Sequence, residues 1–323
     1  MTLVDERPTT PPPAPPPEAP PAAPPAAPPA AAPPSTPATE QPLEPRRQVA
    51  SYALSLLSLG LFVLLIQLTL VSQLQHFAAQ KSLYDELRLH LAEGSVPIGQ
   101  LDINGQLVAP GTPVALLEIP EIGVREVIVE GTSSAETRTG VGHRRDTPLP
   151  GQAGASVLMG RASAYGGPFG NLDELEAGDT FTVTTGQGVS TFEVIGQSTG
   201  GIELPQMEPG GGRLTLITAA GRAFMPTGVR RVYASLVSEA FPQPPVALAK
   251  GNIERSEQAM AGDPSVAFPL SWLLEFLVAG TLAAVWAWKR WGHKGTWIAC
   301  TPLLAAAAIA SADRICSLLP NLI

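Results

Sequence analysis

The chain has 323 residues, a net charge of −8, and 45% hydrophobic against only 15% charged residues. An acidic balance without a basic patch argues against nucleic acid as a partner, because phosphate recognition needs clustered Lys and Arg. Only two cysteines are present, Cys300 and Cys316, so the polar middle of the chain has no disulfide, no Cys metal site and no thiol nucleophile.

Residues 8–45 are mostly Pro and Ala, which cannot bury a core and which favour extended polyproline II. A disordered cytoplasmic arm is expected over 1–48, acting as a spacer in preference to a ligand for proline-binding modules. Three apolar runs come next, at about 49–74, 268–288 and 297–319, each long enough to cross a bilayer. The first is too long for the apolar core of a signal peptide and lies behind polar chain, so an uncleaved anchor is expected. Cys300 and Cys316 share the third run, about 24 Å apart on one straight helix, and cannot pair with each other.

Basic residues set the expected orientation. Arg46 and Arg47 precede the first run, and Lys289, Arg290 and Lys294 fill the short turn expected at 289–296. Both ends favour the cytoplasm, which places 75–265 outside a multi-pass cell-membrane protein. Trp286, Trp288, Trp291 and Trp297 fit an inner interfacial belt. Within the runs, Gln67, Glu275 and Arg314 fall at similar depth. Charged groups there are costly unless paired. A Glu275–Arg314 pair between the second and third helices is therefore expected, with Gln67 nearby and the small residues Ala305 to Ala308 and Ala310 permitting close approach.

Over 75–109 the spacing of Leu83, Leu87 and Leu91 among charges suggests that the first helix continues as an amphipathic stalk, stopped by Gly94 and Pro97. A β domain is expected over 110–240, then a linker at 241–267. Its candidate strands are 115–119, 124–130, 156–159, 180–185, 190–197, 213–218 and 231–237, separated by Gly, Pro and Asp turns. Phe181, Val183, Phe192 and Val194 alternate with polar residues as half-buried strands do. Seven short strands suit a closed barrel or a sandwich, and periodicity alone does not separate them. Gly210-Gly211-Gly212 precedes a strand, not a helix, so a hairpin loop is expected there and not a phosphate cradle. Asp173, Glu174, Glu176 and Asp179 read as a polar loop, with no metal or cofactor expected.

Several motifs recur here in a familiar order. Leu117-Glu118-Ile119-Pro120, Gly131, Pro150-Gly151, the Phe169-to-Asp179 stretch with its F-x-x-L-x-x-L-x-x-G-D pattern, and Leu214-Thr215-Leu216-Ile217-Thr218 together resemble the sortases. These are membrane-anchored transpeptidases of Gram-positive bacteria. The resemblance covers about two-fifths of the chain, suggests an actinobacterial type of membrane protein, and implies an eight-stranded barrel.

The same resemblance exposes losses. Where the family has its catalytic His this chain has Arg161, and where it has its Cys, directly after L-T-L-x-T, this chain has Ala219. The family's Arg corresponds to Arg230 or Arg231. Alanine cannot attack a carbonyl, and an arginine held protonated is no general base. His143, in Gly142-His143, stands where the family often has a non-catalytic His, and no spacing selects Ser156 or Ser163 as its partner. Thr218 is expected to point into the core, away from the cleft.

The expectation is a non-catalytic binding or assembly subunit of a cell-envelope complex. Its partners would be the bilayer and other membrane or envelope proteins, with Arg161, Ala219, Arg230 and Arg231 lining a groove. A rewired transpeptidase or hydrolase and an accessory subunit of an envelope transport complex are the alternatives.

Overall fold

The computed structural model describes residues 45–323. The chain divides into Met1–Ala50 and Ser51–Ile323, and the second unit carries the fold. The proline-rich arm lies, up to residue 44, outside the described residues.

Helix α1 (Pro45–Ile66) runs through a π-helical turn at Gln67–Val71 into α2 (Ser72–Glu93). The turn inserts one residue into the helical repeat and rotates α2 relative to α1, a device common at functional positions. α2 stops where Gly94 adopts a left-handed conformation (φ 67°) that a side chain would disfavour. Leu87 packs with Val96 and Val127 beneath the β domain, with Leu83, Tyr84 and Leu116 around them. Gln80 lies further back along α2. Its side chain bonds Val127 N (2.8 Å) and Thr139 O (2.7 Å), tying the stalk to the sheet.

The β domain is a closed barrel of eight strands. They are β1 (Pro113–Ile119), β2 (Val124–Glu130), β3 (Val141–His143), β4 (Gly154–Met159), β5 (Thr180–Thr185), β6 (Gly188–Ser198), β7 (Gly212–Arg222) and β8 (Met225–Leu236). Around the barrel the order is β1-β2-β3-β4-β7-β8-β6-β5, closing through β1 against β5. The interior is filled by Leu117, Ile128, Leu158, Phe181, Phe192, Leu214, Leu216 and Val232, each at most 1% exposed. Phe181 and Phe192 stack with centroids 5.6 Å apart. Sequence reasoning misses β3, whose three residues are too few to show alternation and which pairs parallel to β2. A short helix, α3 (Ser134–Thr139), opens with a capping box between Ser133 and Glu136 just before β3.

Beyond the barrel, α4 (Ala267–Trp291) and α5 (His293–Leu318) form an antiparallel hairpin. Together with the first helix this gives, among the described residues, three helices long and apolar enough to cross a membrane. Gly280 lets the hairpin close, since a Cβ there would stand 2.9 Å from Leu304.

The intramembrane pair expected from sequence is not formed. Glu275 and Arg314 are each exposed, and among the described residues no ion pair joins them. The neighbouring Asp313 takes that role. Successive helical residues project about 100° apart, so a helix that presents residue 313 to the domain turns 314 away. Asp313 Oδ2 accepts from Arg138 Nη1 at 2.8 Å, and Oδ1 accepts from Tyr165 OH at 3.1 Å and Gln67 Nε2 at 3.2 Å. Gln67, only 1% exposed, sits at the start of the π turn, so one carboxylate joins the first helix, α3 of the domain and α5.

A double-mutant cycle of Arg138→Gln and Asp313→Asn, read from thermal unfolding in detergent, should give a coupling of about 1 kcal/mol. The cycle of Glu275→Gln and Arg314→Gln should be additive within about 0.5 kcal/mol. The reverse pattern would move the node back to Glu275.

Candidate functional site

On β4, β7 and β8 the alternation of side chains fixes two faces. Leu214 and Leu216 point inward, and Thr218 continues their row, 2% exposed with its hydroxyl unpartnered. Ile217 and Ala219 therefore point outward, beside Val157 and Met159 of β4 and Val229 of β8. This apolar strip is the floor of a groove.

The groove is filled by the chain itself. Leu322, fully buried, packs on Met159 and Ile217 with Ala219, Val157, Val229, Ala259 and Met260 around it. Its main-chain oxygen accepts from Ala162 N at 2.9 Å. Asn321, also fully buried, donates through Nδ2 to Thr132 O at 2.7 Å and to Gln258 O at 3.0 Å. The segment leading into α4 covers it from outside, since Ala261 O accepts from Asn321 N at 2.8 Å.

Arg161 closes one end of the groove at 1% exposure. Gly160 before it is required by close packing, because a Cβ there would stand 2.6 Å from the Phe169 ring. The guanidinium donates from Nη2 to Ser134 Oγ (2.8 Å) and Ser134 O (3.2 Å), and from Nη1 to Ile323 O (3.1 Å). It also stacks over the Tyr165 ring at 4.9 Å. Burial pushes its pKa down to about 10, which leaves it charged at neutral pH. Tyr165 is itself in a left-handed conformation (φ 50°), unusual for a bulky residue. Its ring is fixed by Arg161, and its hydroxyl, whose pKa burial raises, is fixed by Asp313.

Three of the four residues expected to line the groove thus meet around it. Arg161 caps it, Ala219 lies on its floor, and Arg231, paired in register with Ile217, lines an adjoining cavity of about 470 Å³ with Arg144, Met159 and Ile253. Arg230 does not join them. It is the register partner of Thr218, and its guanidinium goes to Gln197 Oε1 at 2.9 Å. Sequence reasoning misses Tyr165, Asp313 and the 321–323 segment, all of which lie outside the motifs. Cys316, which spacing shows only to be unable to pair with Cys300, packs against Ala164 and Tyr165.

His143 and Glu130 form a second buried polar cluster. Nδ1 lies 2.7 Å from Glu130 Oε2 and Nε2 lies 3.0 Å from Pro148 O. Both partners are acceptors, so the ring donates twice and is imidazolium. Burial opposes that charge, but the Glu130 carboxylate outweighs it and holds the pKa above its ordinary value. A ring in this state is no general base. The hydroxyl nearest it is Thr147 Oγ1 at 3.2 Å, which donates to Arg144 O, and neither Ser156 nor Ser163 bonds to it.

The architecture is a closed β-barrel with a groove on the outer face of β4, β7 and β8, joined to helices long and apolar enough to cross a membrane. Residues 117–234 match the family model of the sortase domain. A curated relative, sortase D of Bacillus subtilis (strain 168), is 35% identical over 85 residues, which are 26% of this chain and 41% of that protein. Over residues 117–234 this chain is sortase-like. This chain spans about two-fifths of the length of that relative. Among solved structures, a Clostridium perfringens sortase D5 transpeptidase is similar at 20% identity and a TM-score of 0.39, covering 50% of this chain and 99% of that one. Sortase E1 from Streptomyces coelicolor, with a tripeptide in its active site, is similar at 28% identity and a TM-score of 0.35, covering 41% and 92%.

The His143–Glu130 pair gives a pH signature. A pKa raised on folding means that the imidazolium stabilises the fold fully below about pH 6.5, and that this is lost as pH rises through the folded value. The melting-temperature advantage of wild type over His143→Gln should be largest near about pH 6 and shrink toward about pH 9. An advantage that grows with pH would contradict the ion pair.

Proposed function

We propose that this protein is a non-catalytic, sortase-like membrane subunit that acts by binding and assembly in the cell envelope. The observation that carries the reading is the pair of residues at the family's reactive positions. Ala219 stands where a thiolate would attack and Arg161 where a His would move the proton; Arg161 donates to Ile323 O, and Ala219 packs against the apolar cluster that includes Leu322. Family chemistry needs a sulfur to form a thioester with a peptide carbonyl and a base or acid beside it. A methyl group supplies neither electrons nor a leaving group. The one buried thiol close to Tyr165, Cys316, belongs to α5 and packs among Ala164, Leu64 and Leu68.

The orientation that fits this reading puts the barrel outside, with the turn bearing Lys289, Arg290 and Lys294 in the cytoplasm. The Asp313 node supports it, since the barrel's Arg138 and Tyr165 meet α5 at the end opposite that basic turn. Trp288 and Trp297 lie exposed near the turn, as interfacial residues do. Partners of such a subunit are other membrane or envelope proteins.

A peptide-cleavage and transfer assay tests the reading. Wild type and Ala219→Cys should show no turnover, because Arg161 still fills the base position and Leu322 still covers the floor. Restoring both positions, with Ala219→Cys and Arg161→His, is the arm in which thiol-dependent turnover is expected if any is regained. Robust wild-type turnover would overturn the non-catalytic reading, and its loss in His143→Gln would point to a relocated site.

A further inference from the structure

The segment after α5 is seated as a ligand would be. It leaves the helix at Leu319, whose N–H still bonds Cys316 O, and then crosses the floor made by β4 and β7. Residues 321, 322 and 323 are each held by a different kind of contact. Asn321 is read by two main-chain carbonyls through its amide, Leu322 fills an apolar pocket, and Ile323 presents its carbonyl to a buried guanidinium. Main-chain pairing adds Leu322 O with Ala162 N. The segment before α4 also packs tightly on the end of α5, since a Cβ on Gly262 would collide with Leu318 O. A cavity beside Arg231 adjoins the same floor, sharing Met159, Ile217 and Ala259 with it.

We propose that the groove is a peptide-binding site whose resident ligand is the chain's own Pro320–Ile323 segment, and that the same segment supplied in trans binds once the resident copy is evicted. The ligand class is an extended peptide with a carboxamide side chain, then a branched apolar residue, and a main-chain carbonyl set for Arg161. Amide recognition by Thr132 O and Gln258 O selects Asn over Asp, because two acceptors repel a carboxylate. Leu322 is the affinity anchor, and a charge in its place is left unpaired on an apolar floor. The segment joins α5 without a linker, and α5 carries Asp313. Occupancy of the groove is thus tied to the position of a membrane helix.

The inference rests on the reading of Ala219 and Arg161 as a site without catalysis, but the two fail separately. Turnover in the transfer assay would sink that reading and leave binding intact, whereas absent binding would sink this one and leave the missing chemistry as it stands. The test uses the full chain in detergent and a fluorescent synthetic peptide, Ser-Leu-Leu-Pro-Asn-Leu-Ile, monitored by anisotropy. Wild type should bind it weakly, because a resident segment lowers the fraction of open sites. Leu322→Asp should bind it at least about tenfold more tightly, and a peptide with Asp in place of its second-last Leu should not bind. Equal affinity for wild type and variant, or no binding by a Leu322→Asp protein of native near-ultraviolet circular dichroism, would overturn the proposal. If that variant fails to fold, Asn321→Ala, which removes two hydrogen bonds and keeps the apolar anchor, is read by the same two criteria.

Discussion

A guanidinium buried at 1% exposure must find acceptors, and the arrangement around Arg161 supplies them at both terminal nitrogens while Nε goes without one. Ser134 supplies two from α3, and Ile323 supplies one from beyond α5. The Tyr165 ring lies over the cation's face and is held in a strained backbone conformation by its own bond to Asp313. Removing any one partner leaves donors without acceptors in a site closed to water, so a helix start, a strained loop and a residue 162 positions away act as one unit. A His at the same place would be shorter and less demanding, and would not need the 321–323 segment.

The same unit joins the barrel to the membrane helices. Asp313 ties α5 to Arg138 and to Gln67 in the first helix, and the segment after α5 goes straight into the groove. The π turn at Gln67–Val71 rotates the helix so that Gln67 meets the carboxylate while His76, further along α2, reaches Glu126 at 3.0 Å. An anchor alone needs none of this. These contacts instead fix the helices against the barrel.

Much of the fold is legible in the sequence because it rests on local signals. The strand alternation at 180–185 and 213–218, the stalk stop at Gly94 and the three apolar runs each carry their period or breaker within a few residues. Of the site, Arg161 and Ala219 are legible through motif order, and Thr218 through the parity of the strand. The illegible remainder depends on contacts between distant parts. The choice of Asp313 over Arg314 turns on the rotational setting of α5 against α3, and no pattern along either helix encodes that angle. The 321–323 segment gives no signal either, since Asn321, Leu322 and Ile323 acquire meaning only once a groove stands opposite them. The separation of Arg231 from Arg230 needs the β7–β8 register, which a bulge near Ala220 shifts.

Leu322 of the same chain seats in the groove whose floor holds Ala219. Disulfide trapping tests this placement most directly, in a background where Cys300→Ala and Cys316→Ala remove the native thiols. With Ala219→Cys and Leu322→Cys added, mild oxidation of membranes should give a monomeric, internally linked species whose altered gel mobility is reversed by reductant. Two freely alkylated thiols, or a crosslink found only between chains, would contradict the account.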